Sequence, residues 1–227
     1  HSNMKQLILL LILSTCVIGC KNDSEKTKTS TSSAKELSIL EKIANAHGYK
    51  NWKNIKKLNY TFNVDRDSSH YERSWQWYPQ KNEVKMLSAK DTIEYFRKDM
   101  DSIQQQTDQG FINDKYWLLF PFQLVWDKGF QYSVEENVKA PISEKSMKEI
   151  TIAYDHQDGY TPGDTYKIYV DKDFIIREWS YIASGSQEPN LSTTWEGYQD
   201  FKGLKIATSH QNKEGNFKLY FTNIKVE

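Results

Sequence analysis

The sequence predicts a mainly β (α+β) domain, an open antiparallel half-barrel of about ten or eleven strands with covering helices. Three observations carry this expectation. Aromatic residues make up 14% of the 227, with 7 Trp, 14 Tyr and 10 Phe, and such side chains suit a pleated, half-buried surface. Apolar and polar residues alternate over several short stretches, as a sheet with one buried face requires. The links between stretches are short and rich in turn residues, which makes successive strands antiparallel neighbours.

Taken in order, the first segments stand outside that domain. His1-Ser2-Asn3 precede Met4 and read as a tag or an upstream remnant. Residues 4–19 have one lysine, an apolar run and a small residue at the end, the layout of a secretory signal peptide. The run is too short and wrongly flanked for a membrane-spanning helix. Val17-Ile18-Gly19-Cys20 resembles a bacterial lipobox. That resemblance implies cleavage before Cys20, lipidation of its thiol and attachment to a membrane. The implied address is the cell envelope, at the outer membrane, facing the periplasm or the surface. Residues 20–33 hold no large apolar side chain and read as the lipidated cysteine and its flexible tether. Of the two cysteines, Cys16 and Cys20, only Cys20 survives cleavage, so neither a disulfide nor a cysteine metal cage is available.

Residues 34–227 read as a single domain. Ser33-Ala34-Lys35-Glu36 has capping-box spacing, and Leu37, Leu40, Ile43, Ala44 and His47 recur at helical spacing, so a helix is expected over 34–47 with Gly48 as its stop. A turn over 49–55 presents Trp52. Tyr60, Phe62 and Val64, then Tyr71, Arg73, Trp75 and Trp77, alternate with polar residues as strands, and 84–88 and 92–96 are shorter strands. Residues 101–109 read as a polar helix. The apolar block 116–126 is interrupted by Pro121, which lacks a backbone donor, so two short helices are expected to meet there. A β-meander follows, with strands at 130–134, 149–154, 165–171, 174–182, 192–199, 204–210 and 217–226. No repeat period suggests a propeller or a solenoid.

The run 46–64, the pair Trp75-x-Trp77, the block Trp117-Leu118-Leu119-Phe120-Pro121-Phe122 and Gly163-Asp164-Thr165-Tyr166 resemble an uncharacterised Bacteroidota lipoprotein family. These stretches span most of the chain after residue 35. The fold that this resemblance implies is similar to that of the lipoprotein carriers LolA and LolB, an unclosed antiparallel barrel with helices as a lid. It implies an apolar cavity for acyl chains, and it carries no individual residues across.

Phe62, Trp75, Trp77, Trp117, Phe120, Phe122, Trp126 and Trp179 are the candidates to line such a cavity and to hold a hydrophobic ligand, a lipid or a lipoprotein acyl chain. The competing reading is that these rings fill a solid core, in a structural or protein-interaction lipoprotein. A hairpin centred near Gln187 is expected to set Trp179 opposite Trp195 and Glu178 opposite Glu196. A carboxylate pair of that kind is what a glycoside hydrolase uses, though surface strand carboxylates are far commoner. No nucleophile motif, phosphate loop or metal spacing occurs, so neither enzyme activity, nor a metal, nor a cofactor is expected. The 30 basic and 30 acidic side chains give zero net charge, which argues against nucleic acid as a partner.

Overall fold

The computed structural model describes residues 35–156 and 162–227, and Leu37–Glu227 form one compact unit. Residues 1–34, which include the expected leader, Cys20 and the expected tether, lie outside the described residues, as do 157–161.

Among the described residues thirteen strands carry the fold, more than the ten or eleven expected, because two of the expected strands break into shorter pieces. They are β1 (Leu58–Arg66), β2 (Ser69–Tyr78), β3 (Glu83–Leu87), β4 (Thr92–Phe96), β5 (Phe130–Lys139), β6 (Ser146–Tyr154) and β7 (Thr165–Val170). After them come β8 (Ile176–Ile182), β9 (Leu191–Thr194), β10 (Gln199–Phe201), β11 (Leu204–Ile206), β12 (Ser209–Gln211) and β13 (Phe217–Val226). A six-stranded sheet runs β12-β13-β1-β2-β3-β4, a five-stranded sheet runs β5-β6-β7-β8-β9, and β10-β11 is a separate hairpin. Among the described residues every strand pairing within these sheets is antiparallel. The two larger sheets meet where β9 runs into β12. Glu196 bridges Ser209 there, and the Gln211 amide donates to Thr194 Oγ1 at 3.0 Å. The result is one curved wrap whose free edges are β4 and β5, and it is not closed into a barrel.

Alternation sets which side chains face the trough. Leu58, Tyr60 and Phe62 of β1, Trp75 and Trp77 of β2, and Val84 of β3 are all buried on its inner face. On the outer face of the same pair Thr61 meets Ser74 across a 2.8 Å hydroxyl hydrogen bond. The inner face of the other half carries Ile150, Ile152, Tyr166, Ile168 and Trp179.

The first helix, α1, spans Ile39–Ala46, later than expected. Its capping box is Ser38 with Glu41, not Ser33 with Glu36: the Glu41 amide donates to Ser38 Oγ at 3.2 Å, and the Ser38 amide donates to Glu41 Oε2 at 2.8 Å. Both boxes satisfy the spacing rule, and the one adjoining the buried face of Leu40, Ile43 and Ala44 is used. Gly48 then stops the helix with a φ of 90°, and a β-carbon there would fall 1.8 Å from the Gly203 carbonyl oxygen. A 3-10 segment, Tyr49–Asn54, carries Trp52 inward.

The second helix, α2, runs over Ser102–Trp126 and is continuous through the gap the sequence reading left between 109 and 116. Phe111, Ile112 and Asp114 are buried there, so packing rather than propensity holds the segment helical. Leu119 leaves the helical region (φ −129°, ψ 29°), which divides α2 across a kink two residues before Pro121. Pro121 has no N–H for the Trp117 carbonyl and its ring crowds that oxygen, which accounts for the bend.

Several strand boundaries also differ: β6 starts at Ser146, and the strand expected over 192–199 ends at Thr194, with β10 opening at Gln199. Strand β5 continues to Lys139 through a bulge between Glu135 and Val138. Strand β8 starts at Ile176, because Phe174 takes a left-handed φ of 63°. The stretch 204–210 divides into β11 and β12. In addition, Trp179 pairs with Thr193 and Glu178 with Thr194, two residues short of the expected register. Asn190 closes the loop early, its side chain accepting from the Ala183 amide at 2.7 Å and its own amide donating to the Tyr181 carbonyl at 2.8 Å. A slip of two preserves the face of every side chain, so Trp179 and Trp195 still pack with ring centroids 5.6 Å apart.

Candidate functional site: a cleft beside the second helix

Helix α2 lies in the trough, and buried carboxylates fix it to one wall. Asp108 accepts from Tyr95 Oη at 3.0 Å and from Arg97 at 2.9 and 3.1 Å. Nearly two turns further, Asp114 accepts from Arg73 Nε and Nη2, each at 2.6 Å, and from Trp75 Nε1 at 2.7 Å. Burial pushes the Asp114 carboxyl upward, and the Arg73 guanidinium opposes that shift. Just past the helix, Asp127 accepts from Tyr116, Gln123 and Tyr154, which ties the carboxyl end to β6 on the opposite wall. Burial raises the Tyr116 and Tyr154 hydroxyls, with Asp127 adding to it, so both stay protonated donors.

Between helix residues 109–117 and strands β7 to β9 a cleft of about 690 Å³ remains. Ile112, Asn113, Tyr116 and Trp117 face it from the helix. Tyr166, Trp179, Tyr181 and Leu191 face it from the sheet, with Asp164 beside them. Its aromatic wall is continuous. Ring centroids lie 5.0 Å apart for Tyr166 and Trp179, 5.5 Å for Tyr166 and Tyr181, 6.3 Å for Tyr116 and Tyr166, and 4.6 Å for Trp117 and Trp179. Asp164 accepts from Tyr181 Oη at 3.1 Å and from the Ser184 amide at 2.8 Å. Trp179 Nε1 is buried with no hydrogen-bond partner among the described residues.

Behind this wall His210 packs against Trp117 and Trp195, at centroid distances of 5.2 and 4.6 Å. Its Nδ1 bonds the Thr194 carbonyl at 3.1 Å, and its Nε2 has no partner among the described residues. Burial lowers its pKa to about 3, so the ring is neutral. The neutral ring must donate from Nδ1, since a carbonyl only accepts.

Of the eight aromatic candidates read from the sequence, Trp117 and Trp179 line this cleft. Phe62, Trp75, Phe120 and Phe122 are buried in the core. Trp77 and Trp126 flank a shallower groove of about 240 Å³ with Trp52 and Lys115. Tyr116, Tyr166 and Tyr181 were not among the candidates. Parity along the strands was the available signal, because Tyr166 pairs with Tyr181 and shares a face with Trp179.

A larger concavity, about 780 Å³, lies against the tip of the β5–β6 hairpin and holds both Glu178 and Glu196. Glu178 accepts from the Ile142 and Ser143 amides at 2.8 and 2.6 Å and from Ser143 Oγ at 3.1 Å. Its oxygens clamp that turn. The charges around it are largely paired with one another, as Arg177 with Asp171 at 2.8 Å and Lys148 with Glu136 at 3.2 Å. Among the described residues no group of three or more His, Cys, Asp or Glu is placed to hold a metal ion, and no helix is long and apolar enough to cross a membrane.

Fold and cleft together define a mainly β protein with few helices, an unclosed antiparallel half-barrel with a long kinked helix in its trough. No family model and no curated protein matches the chain. Among solved structures it is similar to a LolA superfamily protein from Nitrosomonas europaea, at 11% identity over 83% of this chain and 92% of that one, with a TM-score of 0.49. It is similar also to a putative outer membrane lipoprotein-sorting protein domain from Vibrio parahaemolyticus, at 9% identity over 83% and 92%, TM-score 0.49. A DUF1329 family protein from Desulfovibrio piger matches at 7% identity over 84% and 94%, TM-score 0.44.

Proposed function

We propose that the protein is a cell-envelope lipoprotein, anchored through Cys20, that binds an apolar ligand without chemical transformation in the cleft between α2 and β7–β9. One observation carries the reading: a space of about 690 Å³ bounded by Trp117, Tyr166, Trp179 and Tyr181, inside a trough that is not closed. Apolar ligand surface entering such a space gains about 25 cal/mol for each Å² removed from water. The ligand class that fits is a lipid or a lipoprotein acyl chain, and Trp117 and Trp179 are its contacts from the original set. The signal-peptide layout and the Gly19-Cys20 junction support the envelope address.

The test uses the mature domain without its acyl group and an uncharged fluorescent naphthylamine. Saturable binding at roughly micromolar concentrations, with quenching of tryptophan emission, is expected. Replacing Leu191 at the cleft by tryptophan should fill the space and weaken binding about tenfold or more. Absence of saturable binding in the wild type overturns the proposal.

A second reading, an interaction lipoprotein with a solid interior, is favoured by the dense packing of Phe62, Trp75, Phe120 and Phe122. It predicts no uptake of the dye at any concentration where the domain stays folded.

A further inference from the structure

The cleft is lined by aromatic rings, the aliphatic side chains of Ile112 and Leu191, two amides and one charge, and that charge is negative. Gln109 and Asn113 contribute the amides and Asp164 the carboxylate, and neither lysine, arginine nor histidine is among the lining residues. Lys167, next along β7, points to the outer face, where it pairs with Glu149 at 3.1 Å. Asp164 spends two of its acceptor positions on Tyr181 and the Ser184 amide, which leaves its charge in place and lone pairs free. Tyr181 is half-buried, so the carboxylate and the open edge of the ring wall stand together.

Among the described lining residues an anionic end group meets no lysine, arginine or histidine and faces Asp164. A charge removed from water without a partner is strongly disfavoured. An ammonium group meets the opposite situation. The faces of tyrosine and tryptophan attract a cation within about 6 Å of the ring centroid, and a carboxylate adds its full charge. Because the centroid spacings along Tyr116, Tyr166, Trp179 and Tyr181 are all between 5.0 and 6.3 Å, a single cation can contact more than one ring.

We propose that the cleft selects amphiphiles by the charge of their polar end, taking those with an organic ammonium group at Asp164 and the tyrosine wall and rejecting anionic ones of equal chain length. This rests on the reading of the cleft as an apolar-ligand site. The same chemistry has two sources, a membrane lipid with an ammonium headgroup and a small free cation.

The experiment titrates the mature domain with dodecyltrimethylammonium, dodecyl maltoside, dodecanoate and tetramethylammonium, each below its micelle concentration, following tryptophan emission with circular dichroism as a folding control. Dodecyltrimethylammonium is expected to bind about tenfold tighter than dodecanoate, in keeping with a partly desolvated cation–π contact. The preference should shrink at least about threefold in Asp164→Asn, which keeps the acceptor for Tyr181 and loses the charge. Added salt should shrink it too. Saturation by tetramethylammonium alone supports a small-cation source, and a need for the chain supports a lipid. Equal binding of all three chain-bearing amphiphiles overturns the charge selection and leaves the apolar cleft standing, as does an unchanged preference in Asp164→Asn. Failure of every amphiphile removes the underlying reading as well.

Discussion

A histidine sealed among aromatic rings stays neutral because protonation would strand a charge away from water. His210 is held at about 3 and His47 at about 4, in both cases chiefly by burial. The unfolded chain binds these protons near 6.5, so stability is full above that pH and falls as pH drops through the window from about 6.5 to about 3. Each site contributes on the order of 1 kcal/mol per pH unit within it. Asp114, whose carboxyl is raised, works in the opposite sense at the acid end. Comparing His210→Phe with the wild type separates the histidine from it. Urea denaturation across pH 7 to roughly 4.5 should give a shallower pH slope in the variant. Parallel curves would mean that His210 does not titrate in this window. At this scale the sequence was informative about residue type and silent about placement. Trp117 and Trp179 were legible as aromatic, and so were Phe120 and Phe122, yet only the first two reach the cleft. What separates Trp117 from Phe120 and Phe122 is which side of a kinked helix each lies on, and the bend at Leu119 is not written in the spacing.

Among the elements, α1 and the β10–β11 hairpin meet backbone to backbone. The Lys205 amide donates to the His47 carbonyl at 2.9 Å, and Gly48 leaves room for the Gly203 carbonyl. Gly185 also has a left-handed φ, 82°, but nothing lies within 4 Å of its missing β-carbon. Alanine at 185 therefore bears only the conformational strain, about 1 kcal/mol. Alanine at 48 bears that strain and a collision with backbone, so a loss of more than about 2 kcal/mol is expected. Thermal or urea unfolding of both variants checks the pair, and equal losses would show that the hairpin yields without penalty. Element type was readable wherever periodicity was strong, as in β1, β2 and the start of α1. Boundaries failed where two local signals competed. Ser33 and Ser38 both offered a capping box, and the apolar face beside Ser38 decided between them. The β8–β9 register failed for a related reason: the Asn190 side chain, not loop symmetry, fixes where that hairpin turns.

For the whole molecule, the pairing that organises the trough joins the first and the last of the described strands. β1 pairs with β13 from Leu58↔Val226 to Arg66↔Phe217, and this brings β12 and then β9 into line. A meander reading supplies only neighbours in sequence, which is why the hairpin partners were legible, while the total of thirteen strands and the junction between the sheets were not. The same topology sets where the fold opens. β1 and β13 each lie between two strands and have buried inner faces, whereas β5 is an edge along which most residues are exposed, Tyr132 and Val134 included. Edge amides pointing away from β6 have no ladder partner, and local opening there uncovers little apolar surface. Hydrogen exchange should accordingly be slowest in β1 and β13 and fastest, among the strands, in β5. A ligand held between α2 and β8 lowers the population of states in which those two separate, so its addition should slow exchange in 109–117 and in β8 while leaving β5 unchanged. Protection gained uniformly over all strands would point instead to a global rise in stability with no particular seat, and β5 amides as slow as those of β1 would contradict the open edge itself.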